Sequence, residues 1–394
     1  MPEPLIYLDH NATAPILPAV ADAVREAALR YPGNPASQHE AGRQARRALE
    51  TARQRIGEFL GARTAGMDAD RIIFTSGGTE SNNLALHGLA HRAGASPPPA
   101  PRNERLLIST IEHPSIARTA AHLATLGAQV DQLPVDENGL IRLDVLLQLV
   151  TQNSHLASIM LANNETGVIQ PVAAAAALCR THGVLVHTDA TQAVGKIPVD
   201  FQALGVDALT AAAHKFHGPQ GIGILIVRHG VHLEPALHGG FQQAEARPGT
   251  ESVALALGMQ TALELWHAEA EARRVRLSAL RDEFERTILA ADPAAVAIGA
   301  TAPRLPHTSN IAFVGLNRQA LVMALDLAGV ACSTGSACAS GSSEPSPTLV
   351  AMGLPDEQIS SSLRFSLGAT TTRAEIEEAA RRILAVCNRL RPEK

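Results

Sequence analysis

Short runs of apolar and β-branched residues recur along the first two thirds of the chain: "RIIFTS", "RLLIST", "AQVDQLPV", "LASIMLAN", "GVLVHTD", "DALTAAA" and "GIGILIVR". Each is set off by a segment of helical period or a turn-rich stretch. Runs of this length with little polar alternation suit strands covered on both faces, and their interruption by helical segments predicts a doubly wound, mostly parallel α/β sheet. Ahead of them, "ASQHEAGRQARRALETARQRIGEFLGA" spaces its apolar residues helically among Ala and Arg, with Ser37 as the starting cap and Gly61 at the end. It predicts a long exposed helix. "RAGASPPPAPRNER", residues 92–105, has no apolar period and reads as a surface loop rather than a domain boundary.

From about Ser252 the pattern changes to the long helical stretch "SVALALGMQTALELWHAEAEARRVRLSALRDEFERTILA", then shorter strands and a closing helix "RAEIEEAARRILAVCNRL". These predict a second, smaller α/β domain. The division expected is a large domain over residues 17–262 and a small one built from 1–16 and 263–394. No internal repeat is visible.

Composition narrows the class. The chain has 394 residues, 46% hydrophobic and 18% charged, which suits a globular protein of roughly two domains. A net charge of -5 argues against nucleic acid or an anionic membrane as partner and favours a small-molecule role. No apolar run approaches the ~18 residues of a membrane span, and the start "MPEPLIYLDHNATAP" lacks the signature of a signal peptide, so a cytoplasmic protein is expected. Cys179, Cys332, Cys338 and Cys387 are too few and too unevenly spaced for a disulfide framework and are expected to be thiols.

In a parallel sheet ligands bind at the carboxyl ends of strands, so polar residues directly after the apolar runs are the ones to collect. "FTSGGTESNNLAL" follows a strand with Gly77 and Gly78 and opens a helix, which reads either as an anion site or as a tight turn. "GVLVHTDATQAVGK" ends a strand at Asp189, a helix cap or a partner for a cationic ligand atom. "IEHPS" leaves His113 after another strand, and "LANNETGVIQP" adds Asn163 and Asn164. In "DALTAAAHKFHGPQGIGILIVR", Lys215 is a solvated loop residue or an amine made nucleophilic by burial at the mouth of the sheet. "GPQGIGI" runs into a strand rather than a helix, which removes it as a dinucleotide signal. Taken together the pieces fit pyridoxal phosphate, which needs a helix N-terminus for its phosphate, an acid at its ring nitrogen, a lysine for its aldehyde and a flat group over its ring.

"YLDHNATAP", "NPASQHEAG", "FTSGGTESNN", "EHPS", "NNETGVIQP", "HTDATQAVGK", "AHKFHGP", Gly249-Thr250, "STGSACASGSSEPS" and "SLRFSLGATTT" span nearly the whole chain. With them the sequence resembles the pyridoxal-phosphate-dependent cysteine desulfurases of the class-V aminotransferase superfamily, in the branch serving nitrogen fixation and housekeeping iron-sulfur cluster assembly. The resemblance implies the type I fold of pyridoxal-phosphate-dependent transferases and a homodimer with its active sites at the subunit interface. It also implies conversion of L-cysteine to L-alanine, the sulfur going to a protein acceptor such as an iron-sulfur scaffold.

It further implies roles. Lys215 holds the cofactor's aldehyde, Asp189 pairs with the ring nitrogen, and His113 stacks on the ring and assists proton transfer. Asn164 and Gln192 hold the phenolic oxygen and its surroundings. Gly78, Thr79 and His214 contact the phosphate, as does Thr250 from the partner subunit. Arg364 clamps the substrate carboxylate, with Asn34 and Asn164 as further substrate contacts. Cys338, in a small-residue loop at about 331–346, is the persulfide-forming nucleophile. No metal set is expected beyond a transient iron-sulfur contact at Cys338, and Cys332 is expected to be mostly buried and slow to ionise.

Three features depart from the usual pattern. Ala212 stands where a serine commonly gives its hydroxyl to the phosphate, so one hydrogen bond is expected to be missing. Gln243, Ala244 and Glu245 replace an acid, a basic or small residue and a glycine, which bears on substrate access or interface geometry. "HNATAP" stands where "NAATTP" is usual. A selenocysteine lyase, a plain aminotransferase and a non-enzymatic sulfur-carrying scaffold are the alternatives.

Overall fold

The computed structural model describes residues 5–90, 105–335 and 344–391. Cys338 and nearly all of the loop expected at 92–105 lie outside the described residues. All seven apolar runs form one sheet, in the order Arg71–Thr75, Gly223–Val227, Ala208–Ala212, Leu185–Asp189, Ser154–Ser158, Arg105–Ser109, Gln129–Leu133. Gly223–Val227 runs antiparallel to its two neighbours, and the other pairings are parallel. Successive strand residues point to opposite faces. Ile72, Phe74, Leu107, Val186, Leu209 and Ile224 accordingly enter one hydrophobic core, while Ile73, Leu106, Ile108, Leu156, Ala208 and Leu225 enter another on the far side. Covering both faces is what makes six of these strands read as unbroken apolar runs, while the edge strand Gln129–Leu133 is buried only at Leu133 and keeps polar residues.

A third core lies beyond the sheet. Thr308–Phe313 pairs antiparallel with Ser362–Ser366 and with Ala295–Ala297, while Ile6–Tyr7 pairs with Val330–Ala331. Phe284, Phe313 and Phe365 stack edge to face at its centre. The helix Val253–Ala291, capped by the Ser252 side chain on the Leu255 amide, is 39 residues long, about 58 Å at 1.5 Å per residue. Its first half buries Met259 and Leu263 in the first core, and its second half buries Leu280, Phe284 and Ile288 in the third core. One continuous helix thus carries the chain from one core to the other. No helix among the described residues is long and apolar enough to cross a membrane.

Two details differ from the sequence reading. The helix expected from Ser37 runs Glu40–Phe59 and is capped by His39, whose Nδ1 accepts from the Gly42 amide at 3.2 Å. Ser37 instead closes the preceding turn, its amide donating to the Asn34 carbonyl. Nor is this helix exposed all round, because Ala45, Leu49, Ala52 and Ile56 are buried. A chain rich in Arg can still bury a full apolar stripe when the charged residues keep to the other side.

The unusual segment at 243–245 is explained by the sheet's edge. Gln243, Ala244 and Glu245 all take left-handed conformations, with φ of 52°, 52° and 65°. This turn brings the Gln243 amide beside the edge strand, where Oε1 accepts from the Phe74 amide at 2.7 Å and Nε2 donates to the Phe74 carbonyl at 2.9 Å. One side chain therefore imitates a neighbouring strand and satisfies two edge groups. Gln243→Ala removes both bonds and is expected to lower unfolding free energy by about 1–3 kcal/mol in urea titration. An unchanged midpoint would show that the edge does not depend on Gln243.

Candidate active site

Four loops leaving the carboxyl ends of parallel strands converge with the N-terminal segment. After Thr75 comes the turn to the helix Gly78–Leu89, and after Ser109 the turn to the helix Pro114–Thr125. Residues beyond Ser158 and beyond Asp189 supply the other two, and the strand Ala208–Ala212 passes directly into a single 3-10 turn, Ala213–Phe216, that carries His214 and Lys215. Between them lies a cavity of about 280 Å3, lined by Gly78, Thr79, His113, Asn164, Asp189, Gln192, His214 and Lys215 with Asn82, Thr191 and Ala212. A second chamber of about 270 Å3 shares His113, Asn164, Gln192 and Lys215 as its wall and extends to Arg364, Glu112 and Glu344. A larger cavity near Arg53 and Gln243, about 500 Å3, contains no Lys, Cys or His.

Lys215 is no solvated loop residue. Its Nζ donates to the carbonyls of Asn11 and Ala12 at 2.7 and 2.8 Å. Asp189, the last residue of its strand, is buried, and its carboxylate accepts from the Asn82 side chain at 2.7 Å and the Thr191 amide at 2.9 Å. These two donors aim the acid across the inner chamber. His113 does double duty, capping the helix Pro114–Thr125 through Nδ1, which accepts from the Ser115 amide at 3.1 Å, and walling both chambers with its ring. With Nδ1 accepting, the proton of the neutral ring sits on Nε2. Burial lowers the pKa of His113 and brings that of His214, which also faces Lys215, down to about 4, so both rings are neutral near pH 7.

Arg364 is 1% exposed. Its guanidinium bonds Asp9 at 2.7 Å, the Gly335 carbonyl at 2.8 Å and the Asn164 carbonyl at 3.0 Å, while Nε has no partner among the described residues. Gly335 and Glu344, the last described residues on either side of the Cys338 segment, both belong to this corner. Cys332 is a half-buried thiol, and burial beside Asp9 pushes its pKa far up.

Two expected residues stand elsewhere within one chain. Thr250 lines a small cleft with Thr75, Ser76 and Arg247, and Asn34 is exposed, its side chain accepting from the Ala36 amide.

The structure adds residues that the sequence reading passed over. Asn82 orients Asp189, Asp9 neutralises Arg364, and Asn11 receives Lys215; all three lie inside motifs already quoted, so their signal was position within a motif. Glu112, next to His113, is half-buried in the wall of the second chamber. Its Oε1 accepts from Ser109 and from the Met160 amide, Oε2 has no partner among the described residues, and burial raises its pKa to about 8.

The fold and the two chambers define a class, the type I pyridoxal-phosphate-dependent transferases. The aminotransferase class-V sequence profile matches residues 6–378. Among curated relatives, cysteine desulfurase IscS of Dictyoglomus turgidum is 39% identical over 94% of this chain and 91% of its own, and cysteine desulfurase NifS of Azotobacter vinelandii is 37% identical over 98% and 93%. The solved structure of a NifS-like protein from Rickettsia africae superposes with a TM-score of 0.86 at 30% identity, covering 98% of this chain and 99% of that one. The chain belongs to the aminotransferase class-V family and, within it, to the cysteine desulfurases.

The raised pKa of Glu112 makes stability depend on pH. Its pKa in the folded chain, about 8, lies above the unfolded value, so between about 4.5 and 8 the folded state holds a proton that the unfolded chain has released. Its contribution to stability is complete below that window and is lost as pH rises through it. Glu112→Gln keeps an uncharged group there. The unfolding free energy of the parent minus that of the variant is therefore expected to fall between pH 5 and 8, at up to roughly 1 kcal/mol per pH unit. A difference flat with pH would show Glu112 to be ionised in the fold.

Proposed function

We propose that the enzyme is a cysteine desulfurase. The inner chamber takes pyridoxal phosphate and the outer one L-cysteine; the product is L-alanine, and the sulfur passes to Cys338 as a persulfide. The observation that carries this reading is the position of Lys215 in the wall shared by two chambers, one bounded by Asp189 and Gly78, the other reaching Arg364. The residues fit the cofactor: an oriented acid, a neutral ring, a lysine and a helix N-terminus meet around a cavity whose Asn82 Oδ1, Thr191 Oγ1 and Gln192 Oε1 are buried without partners among the described residues. Substrate cysteine is supported by a solved relative described as SspA in complex with cysteine, 30% identical with a TM-score of 0.79.

When bound, the cofactor supplies an electron sink for the charge left as the substrate's Cα proton departs. Asp189 Oδ1 and Oδ2, held by Thr191 and Asn82, keep a negative charge facing the ring nitrogen and so favour its protonated form. His113, which lines both chambers, would cover the ring's face. Arg364 binds the substrate carboxylate as a charge-assisted fork, with Asp9 holding the guanidinium in place. Lys215 Nζ, released from the carbonyls of Asn11 and Ala12, moves the proton at Cα. The Cys338 thiolate attacks the substrate sulfur: the Cβ–S bond breaks, the S–S bond forms, and the proton that completes the alanine methyl balances the one lost from Cys338. Cysteine and thiol thus become alanine and persulfide with no external oxidant.

The same reading includes a homodimer, in which Thr250 of one copy reaches the phosphate in the other, and a division into the large domain 17–262 and a small domain of 1–16 and 263–394. A sulfur-acceptor protein, such as an iron-sulfur scaffold, completes the cycle.

Incubation with L-cysteine and pyridoxal phosphate is expected to yield alanine and, with a reductant, sulfide. Lys215→Ala is expected to lose the visible absorption of the lysine-bound cofactor. A variant keeping that absorption through dialysis would overturn the assignment of Lys215, and a requirement for a keto acid, or strong preference for selenocysteine, would favour the alternative activities. Cys338→Ser is expected to stay yellow yet form almost no alanine, while Cys332→Ser keeps most activity. Mass spectrometry finding the added sulfur on Cys332 would refute the nucleophile assignment.

A further inference from the structure

Ala212 brings only a methyl group to the inner chamber, in a position where the phosphate of the proposed cofactor needs donors. The surroundings supply one. A Cβ built on Gly78, the first residue of the helix Gly78–Leu89, would lie 3.2 Å from Thr191 Oγ1 and 3.5 Å from the Ala212 Cβ, so the Thr191 hydroxyl, the Ala212 methyl and the helix N-terminus meet at one point. Thr191 Oγ1 is buried and has no partner among the described residues. The neighbouring N-cap, Gly77, contributes no side-chain bond to the helix's first amides. A hydroxyl without a partner beside open helix amides is suited to an anionic oxygen, since both kinds of donor and the helix dipole point to the same place. The Thr191 backbone is fixed in this turn by its amide, which donates to Asp189 Oδ1 at 2.9 Å.

We propose that the Thr191 hydroxyl donates a hydrogen bond to the phosphate of pyridoxal phosphate and takes the place of a serine hydroxyl at 212. The inference rests on the inner chamber being the cofactor site. It gives Asp189 and Thr191, two residues apart on one turn, the ring nitrogen and the phosphate of the cofactor respectively.

The test is equilibrium titration of the full-length apoprotein with pyridoxal phosphate and, separately, with pyridoxal, which lacks the phosphate. Thr191→Val, close in shape to threonine, is expected to weaken pyridoxal phosphate binding on the order of tenfold or more, as suits loss of a bond to a charged oxygen, while pyridoxal binding changes by less than about twofold. Thr191→Ser is expected to bind as the parent does. Ala212→Ser is expected to add little in the parent but to recover most of the loss in the Thr191→Val background, because the two hydroxyls serve one oxygen. Equal weakening toward both ligands, or no weakening, would overturn the role of Thr191. So would a tenfold gain from Ala212→Ser in the parent, a measurement that stands even if Thr191→Val does not fold. Failure of the parent itself to bind pyridoxal phosphate would instead sink the cofactor reading on which the inference rests.

Discussion

The site depends on the burial of one asparagine at the seam between the sheet and the smaller core. Every polar group of Asn11 is engaged. Its carbonyl accepts from Lys215 Nζ at 2.7 Å and from Gln192 Nε2 at 3.1 Å, and its amide donates to Ser366 Oγ at 2.8 Å. Its side chain donates to the Asn164 carbonyl and to Thr308, and accepts from His307 at 2.8 Å. Lys215, Gln192 and Asn164 come from sheet loops; His307, Thr308 and Ser366 come from the small-core strands and their approach. Because a buried amide left without partners costs far more than a satisfied one returns, this set holds the two cores in one register and sets Lys215 at the boundary of both chambers.

The same seam collects charge. Arg364, the largest fully buried side chain, is neutralised by Asp9, and removing one member of such a pair leaves an uncompensated ion. Lys196 is buried, its Nζ donating to the Gln192 carbonyl at 3.4 Å, and burial together with Lys215 and Arg364 brings its pKa down to about 7. His10 and His217, packed ring against ring beside it, are neutralised in the same way, to about 3 and about 4. The imidazoles His10 and His217 are thus neutral at the seam beside Lys196.

Much of this was legible in the chain. Seven runs correspond to seven strands, six of them apolar because strands covered on both faces leave no room for polar alternation, and Asp189, His113 and Lys215 stand out because ligands gather where such strands end. The helix start at His39 was missed because a histidine Nδ1 can cap as well as a serine hydroxyl, a choice made by the local turn rather than by residue preference. Gln243 looked like an odd substitution in a loop. Its value appears only when the turn at 243–245 lays the amide along the Phe74 backbone, 169 residues away in the chain.

What the sequence determined by itself was the periodicity of the elements, the class of fold and the kinds of reactive side chain placed at strand ends, since these follow from local spacing and residue chemistry. What only the tertiary structure decided was which of those side chains share a wall: Asn11 against Lys215, Asn82 against Asp189, Asp9 against Arg364, and the Thr191 hydroxyl beside the Ala212 methyl. Such pairings join residues separated by up to 355 positions, and at that distance along a chain no local pattern constrains contact. Packing of the two cores around the long helix does, because burial leaves each polar group a small choice of partners and charges heavily for having none.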